Sequence, residues 1–187
     1  MFNFSNRAVT KTFPKFSMRL PTGRHSKPKT KQTRMDDISK ELKSFPVKVD
    51  IDVQWGEMDA AGHVSNVIYL RWFEHARVAY LDHLKYPVVM EDADAGLPGV
   101  ILAKQDCKYL FPVTYPDTIT LGIRVNEMQE DRFTMHCRMF SRRHNRLVAI
   151  ANAVMVTFDY RQRRKAPIPE QLSLGILGLE EQPVIRK

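Results

Sequence analysis

A chain of 187 residues with 43% apolar side chains is long enough for one ordinary domain and an extension. Its net charge of +8 is concentrated at one end: residues 1–35 hold nine Lys or Arg and no Asp or Glu, while the rest carries 20 basic and 21 acidic residues, so the body lacks a nucleic-acid signature. The two cysteines, Cys107 and Cys137, have neither the spacing of a zinc site nor the number of a disulfide framework, and no apolar run reaches the ~20 residues of a membrane span.

Residues 1–35 have the composition of an organelle transit peptide, rich in Ser, Thr and basic residues. On a helical wheel Phe2, Val9, Phe13, Phe16 and Leu20 share one side, with Arg7, Lys11, Lys15 and Arg19 opposite. Pro14 divides this stretch into two short helical pieces. A mitochondrial address is the expectation. The alternatives are a plastid address, or a disordered arm on a cytoplasmic protein that touches RNA or an acidic partner. No apolar h-region is present, which argues against secretion.

Residues 36–45 read as a linker or short helix. Val47, Val49, Ile51, Val53 and Trp55 then alternate with Lys48, Asp50, Asp52 and Gln54, the period of a half-buried strand. From Val67 to Leu84, apolar residues at Leu70, Phe73, Ala76, Tyr80, Leu81 and Leu84 have helical spacing. Pro87 to Pro98 forms a long connection. Gly99 to Leu110 is extended and ends at Phe111-Pro112.

Ile119, Leu121, Ile123 and Val125 alternate with polar or small residues. After a turn at Glu127–Asp131, Phe133, Met135, Cys137 and Met139 do the same. A second turn spans Arg142–Arg146. Leu147 to Phe158 is apolar at nearly every position, predicting a strand buried on both faces. Residues 161–187, with Pro167, Pro169 and Pro183, read as a tail. The fold class is α+β, with a curved antiparallel sheet of about five strands wrapped around one long central helix. A helix covers only one face of such a sheet, so dimerisation is expected to protect its edges.

Between the first strand and the helix lies Trp55-Gly56-Glu57-Met58-Asp59-Ala60-Ala61-Gly62-His63-Val64-Ser65-Asn66. This loop sets a carboxylate, two glycines and a histidine against a helix N-terminus, where backbone N–H groups can face developing negative charge. Asp59 is the candidate reactive carboxylate, or else an Asx-turn residue. His63 is either an acid/base or a loop hydrogen bonder. Asn66 serves as an N-cap whose backbone can also donate.

With Tyr69 and the helix residues Trp72-Phe73-Glu74-His75-Ala76-Arg77, this loop resembles that of the hotdog-fold acyl-CoA thioesterases of the 4-hydroxybenzoyl-CoA thioesterase type. That family enters its central helix through a Gly-Asp-x-Asp-x-x-Gly loop, often followed by His-Val-Asn-Asn. Here Glu57 stands where the first Asp is common, and Ser65 replaces the first Asn. The resemblance spans residues 46–165, the implied hotdog domain, leaving 166–187 as a C-terminal tail.

The resemblance implies hydrolysis of an acyl-CoA or acyl-carrier-protein thioester without metal or redox cofactor. Asp59 would act as nucleophile or general base, with a backbone N–H near Asn66 as oxyanion donor. Gly62 would let the backbone approach the thioester, and Tyr69 would line the acyl pocket or pack in the core. Other hotdog lineages carry the catalytic carboxylate on the helix, which makes Glu74 a second candidate, although its i,i+3 spacing to Arg77 suits an intrahelical ion pair.

Arg142, Arg143, Arg146, Arg163, Arg164 and Lys165 are candidates for the CoA phosphates. The implied partners are the acyl-CoA substrate and a second copy of the chain, as homodimer or homotetramer, and not nucleic acid. Two rivals remain at this level: a catalytically silent hotdog subunit of an organellar assembly whose basic tail is a binding arm, and a hotdog dehydratase with a His/Asp pair.

Overall fold

The structure is a computed structural model that describes residues 38–87 and 97–187. The basic extension and the targeting expectation attached to it lie outside the described residues. The strands are β1 (Val47–Asp52), β2 (Gly99–Tyr109), β3 (Thr118–Met128), β4 (Arg132–Ser141), β5 (Arg146–Asp159), β6 (Arg164–Lys165) and β7 (Ile185–Arg186); the helices are α1 (Asn66–His83) and α2 (Glu170–Leu179).

The sheet runs in the order β1-β3-β4-β5-β2, with β6 added to β5 and β7 to β3. All neighbours are antiparallel except β7 on β3. The α+β arrangement of a curved antiparallel sheet around one long helix is therefore as expected. Register follows from the alternation: Ile119, Leu121, Ile123 and Val125 of β3 are buried together, as are Phe133, Met135, Cys137 and Met139 of β4.

Against this concave face α1 buries Tyr69, Trp72, Phe73, Ala76, Tyr80 and Leu81. Each large side chain so buried contributes about 1.5–3 kcal/mol. The helix ends on Lys85 at φ 52°, with Tyr86 N–H donating to Leu81 C=O at 3.1 Å. This is the left-handed termination that satisfies the last carbonyls.

The structure differs from the sequence reading in three places. Strand β1 stops at Asp52, and Trp55 belongs to a 3-10 turn (Trp55–Glu57), 73% exposed rather than in the core. The chain is diverted because Val53 N–H is taken by Asp117 C=O at 2.9 Å, after which Glu57 N–H turns back to Gln54 C=O at 3.0 Å. Second, β5 is fully buried along its inner face at Ala149, Ala151, Ala153 and Met155, while Ile150, Asn152 and Val154 on the convex side are only half-buried.

Third, the expected tail holds α2, whose Leu172 and Ile176 are fully buried in the same core. Glu180, just past α2, accepts from both Tyr80 Oη and Val125 N–H at 2.6 Å. Of the two readings of residues 36–45, the short helix is the one found, at residues 38–42, and Phe45 after it seals part of the convex face. A Cβ on Gly122 would come within 2.7 Å of the Phe45 ring, so the closeness of this packing depends on glycine there.

Candidate active site

The loop between β1 and α1 is a small hairpin. Met58 and Val64 form an antiparallel bridge, and Asp59 N–H donates to His63 C=O at 2.8 Å. Gly62 N–H donates to Asp59 C=O at 2.9 Å, and Gly62 itself has φ +77°. This is a three-residue loop closed by a left-handed residue, a conformation in which glycine avoids the Cβ clash. Asp59 Oδ1 accepts from Ala61 N–H at 2.8 Å, so the carboxylate is an Asx-turn residue as well as a site candidate. Only one of its oxygens is used in this way.

Glu57 holds the loop from beneath. It is buried, accepts from Gln54 N–H at 3.0 Å, and pairs with Arg71 one turn into α1. Its carbonyl accepts Ser65 N–H at 2.9 Å. The residue in the altered motif position thus works within the loop, fixing where the helix begins. Ser65, not Asn66, takes the N-cap position, and its side chain makes no capping hydrogen bond. Asn66 is the first helical residue, so helix geometry leaves its N–H and that of Val67 without intrahelical acceptors.

Asp59, His63, Asn66 and Tyr69 line one cavity of about 410 Å³. Its opposite wall is Tyr109, Leu110, Phe111 and Pro112, the end of β2 and the residues that follow. Leu110 and Phe111 N–H groups hang on Val148 C=O at 2.8 and 3.2 Å, which fixes this wall to the start of β5. Tyr109 Oη donates to Asn66 C=O at 3.1 Å, tying the two walls together at the helix N-terminus. The Tyr69 and Tyr109 rings meet edge to face at 5.1 Å. Burial pushes the Tyr69 phenol up to about 12, so it remains a neutral donor at physiological pH.

Gly62 shapes the loop beside the cavity and is not among the lining residues. Glu74 is exposed and likewise does not line the cavity. Its expected ion pair does not form among the described residues: Arg77 turns inward, donates to Gln105 Oε1 at 2.6 Å and lies over the Phe73 ring at 5.0 Å. The wall at Tyr109–Pro112 was not among the sequence candidates. Its only signal is the aromatic and proline cluster closing an extended segment, with no spacing that links it to Asp59. Burial raises both cysteine thiols, which therefore lack the thiolate character of nucleophiles. Among the described residues no cluster of three or more His, Cys, Asp or Glu is placed to hold a metal ion, and no helix is long and apolar enough to cross a membrane.

A carboxylate, the first residue of a helix and a largely apolar wall around one cleft have the parts of an acyl-transfer site. Comparison with known proteins agrees at the level of family. The sequence profile of the thioesterase-like superfamily matches residues 53–175, and the chain belongs to that superfamily. A protein described as a putative esterase from Aquifex aeolicus (strain VF5) is 33% identical over 88 residues, 47% of this chain and 67% of that one.

Among solved structures, a thioesterase complexed with coenzyme A and zinc from Thermus thermophilus superimposes with a TM-score of 0.64 at 26% identity, over 75% of this chain and 99% of that one. A 1,4-dihydroxy-2-naphthoyl-CoA thioesterase from Synechocystis gives a TM-score of 0.64 at 19% identity, over 73% and 98% of the two chains. The fold is the hotdog fold.

Proposed function

We propose that this chain is a thioester hydrolase acting on an acyl-CoA. The observation that carries this reading is the convergence of Asp59, His63 and the first residue of α1 on one cavity with an aromatic far wall. The Thermus relative, which binds coenzyme A, supports CoA as the thiol half of the substrate.

In the proposed reaction the thioester carbonyl lies between Asp59 and the start of α1. Asp59 either attacks the carbonyl carbon, giving an anhydride that water then opens, or takes a proton from a water that attacks. In both routes the C–S bond breaks, the thiolate leaves and acquires a proton, and the acid is released. The carbonyl oxygen becomes negative next to the N–H groups of Asn66 and Val67, where one such donor is typically worth about 3–4 kcal/mol of barrier and the helix dipole acts in the same sense. His63 supplies a hydrogen bond to water or the leaving group. Tyr69 and Tyr109 hold the acyl chain near its carbonyl.

The working unit is a homo-oligomer: among the described residues β2 ends the sheet with an unpaired outer edge, and Leu102, Tyr109 and Val67 near that edge and the helix start are exposed. The basic extension addresses the protein to mitochondria, and a fluorescent fusion of residues 1–36 that stays in the cytosol ends that part of the proposal.

The decisive measurement is thiol release from a panel of short-, medium-, long-chain and aromatic acyl-CoAs. Release from at least one, abolished by Asp59→Asn, is the expected result. A folded oligomer that releases thiol from none overturns the hydrolase and leaves the silent subunit.

A further inference from the structure

Both ends of the Asp59 loop are tied to one short segment of chain. Before the loop, Val53 N–H donates to Asp117 C=O at 2.9 Å; after it, Val64 N–H donates to Val113 C=O at 2.9 Å. The side chains of Val53, Val64 and Val113 are all buried in the core. Residues 113–117 directly follow Phe111 and Pro112 of the far wall. The stretch 111–117 therefore carries that wall at one end and holds the reactive loop with the rest.

The Asp117 carboxylate fixes this stretch to the sheet. It is buried; Oδ1 accepts Thr118 N–H at 2.8 Å and Arg143 N–H at 3.0 Å, and Oδ2 accepts the Ser141 hydroxyl. Ser141 is buried as well, and its oxygen accepts His144 N–H at 2.9 Å. The relay has one direction, from His144 N–H to Ser141 Oγ and from the Ser141 proton to Asp117. A serine hydroxyl fills both roles at once, and buried groups matched in this way are costly to unpair.

The far side of the relay returns to the cavity. The His144 ring meets Phe111 edge-on at 4.9 Å, and Arg146, the first residue of β5, lies over the same ring at 4.1 Å. Asp117 thus sends its carbonyl to the loop that carries Asp59 and its carboxylate to the turn that packs Phe111. The two walls of the cleft share this one residue. Asp117 and Ser141 are buried within a single chain, so a second copy docked on the surface leaves these contacts as they are.

We propose that Asp117 is a positioning residue that sets the gap between the Asp59 loop and the Phe111 wall, and through that gap the acyl groups that turn over. It acts through Val53 and Phe111 and does not touch the reacting atoms. This deepens the proposed function and rests on it for turnover; the hold on the loop can be read without turnover.

The test uses the full-length protein with its Asp117→Asn and Ser141→Ala variants and the acyl-CoA panel, at a temperature well below each thermal midpoint. Asparagine keeps an oxygen for Thr118 and Arg143 but presents an N–H to Ser141, which breaks the relay; Ser141→Ala breaks it from the other side. Both should change the ratio of kcat/KM between the best acyl group and bulkier ones about tenfold. That ratio is independent of how much protein is folded, so a residue serving stability alone would not move it. Unchanged ratios beside a lowered thermal midpoint overturn the proposal, and Ser141→Ala decides alone where Asp117→Asn does not fold. Should the wild type hydrolyse none of the panel, amide hydrogen exchange across residues 57–64 decides instead. Faster exchange there in the variants, with the centre of β4 unchanged, keeps the positioning role while the hydrolase reading falls. No change in the loop, or a rise shared by β4, overturns the positioning role too.

Discussion

Asp59 and Ala61 are joined by a 2.8 Å hydrogen bond from the Ala61 amide to Asp59 Oδ1. The carboxylate is therefore oriented by its own loop before any substrate arrives, with its second oxygen outside that bond. Asparagine can keep the loop contact through its amide oxygen yet can neither attack nor accept a proton. Asp59→Asn is expected to lower kcat by about 10²–10⁴ with the thermal midpoint unchanged. Glu74→Gln, outside the cavity, is expected to retain wild-type turnover. An active Asp59→Asn beside an inactive Glu74→Gln would move the chemistry onto the helix.

Gly62→Ala separates backbone conformation from steric space. A Cβ there would meet nothing within 4 Å, but φ is +77°. The expected cost is about 1 kcal/mol or somewhat more from the left-handed backbone alone, read as a small fall in thermal midpoint. Because the loop can relax by moving Asp59, kcat should fall by a larger factor than the stability change suggests. Unchanged kinetics would show that the carboxylate's position is not set by this turn.

Ile176→Ala tests whether α2 belongs to the domain. The side chain is fully buried, so truncation should cost about 2–5 kcal/mol, a drop of roughly 10 °C in a chain of this size. A shift of only a degree or two would mean that the helix docks weakly and can be removed.

Glu180 gives a pH signature. Burial raises its carboxyl above the usual value, outweighing the hydrogen bonds from Tyr80 and Val125. A raised folded pKa favours the folded state fully below the unfolded value, and that contribution is lost as pH rises through the folded value. Glu180→Gln keeps an acceptor for both donors and removes the titration. The thermal midpoint of the variant relative to wild type should therefore climb as pH rises above the ordinary glutamate value of about 4.3, measured by calorimetry at matched ionic strength. A difference that stays flat with pH would rule out Glu180 as the titrating group.

The sheet and α1 were legible because their periodicities are local: one residue type alternates every second position in β3 and β4, and the helix spacing is uninterrupted. The loop side of the cavity was legible for the same reason, since Asp59, His63 and Asn66 fall within eight consecutive residues. The far wall was not, because Tyr109–Pro112 is more than forty residues from the loop along the chain and meets it only in the folded sheet, through contacts such as Val64 N–H to Val113 C=O at 2.9 Å. Helix α2 was obscured by Pro167, Pro169 and Pro183, which made the segment read as a tail; the first two precede the helix, where a missing N–H costs little, and the third follows it. The i,i+4 pair Leu172 and Ile176 was its one positive signal. Trp55 misled by keeping the strand's alternation after the strand itself had ended.

Phe45 over Gly122, together with Ile38 and Leu42 beside Thr120 and Phe140, puts the first described residues on the convex side of the sheet. The Asp59 loop opens on the other side. An affinity handle or surface anchor joined directly at residue 38 would thus be separated from the Asp59 cavity by a full layer of strands. A protein immobilised by that attachment should turn the cavity toward the bulk liquid.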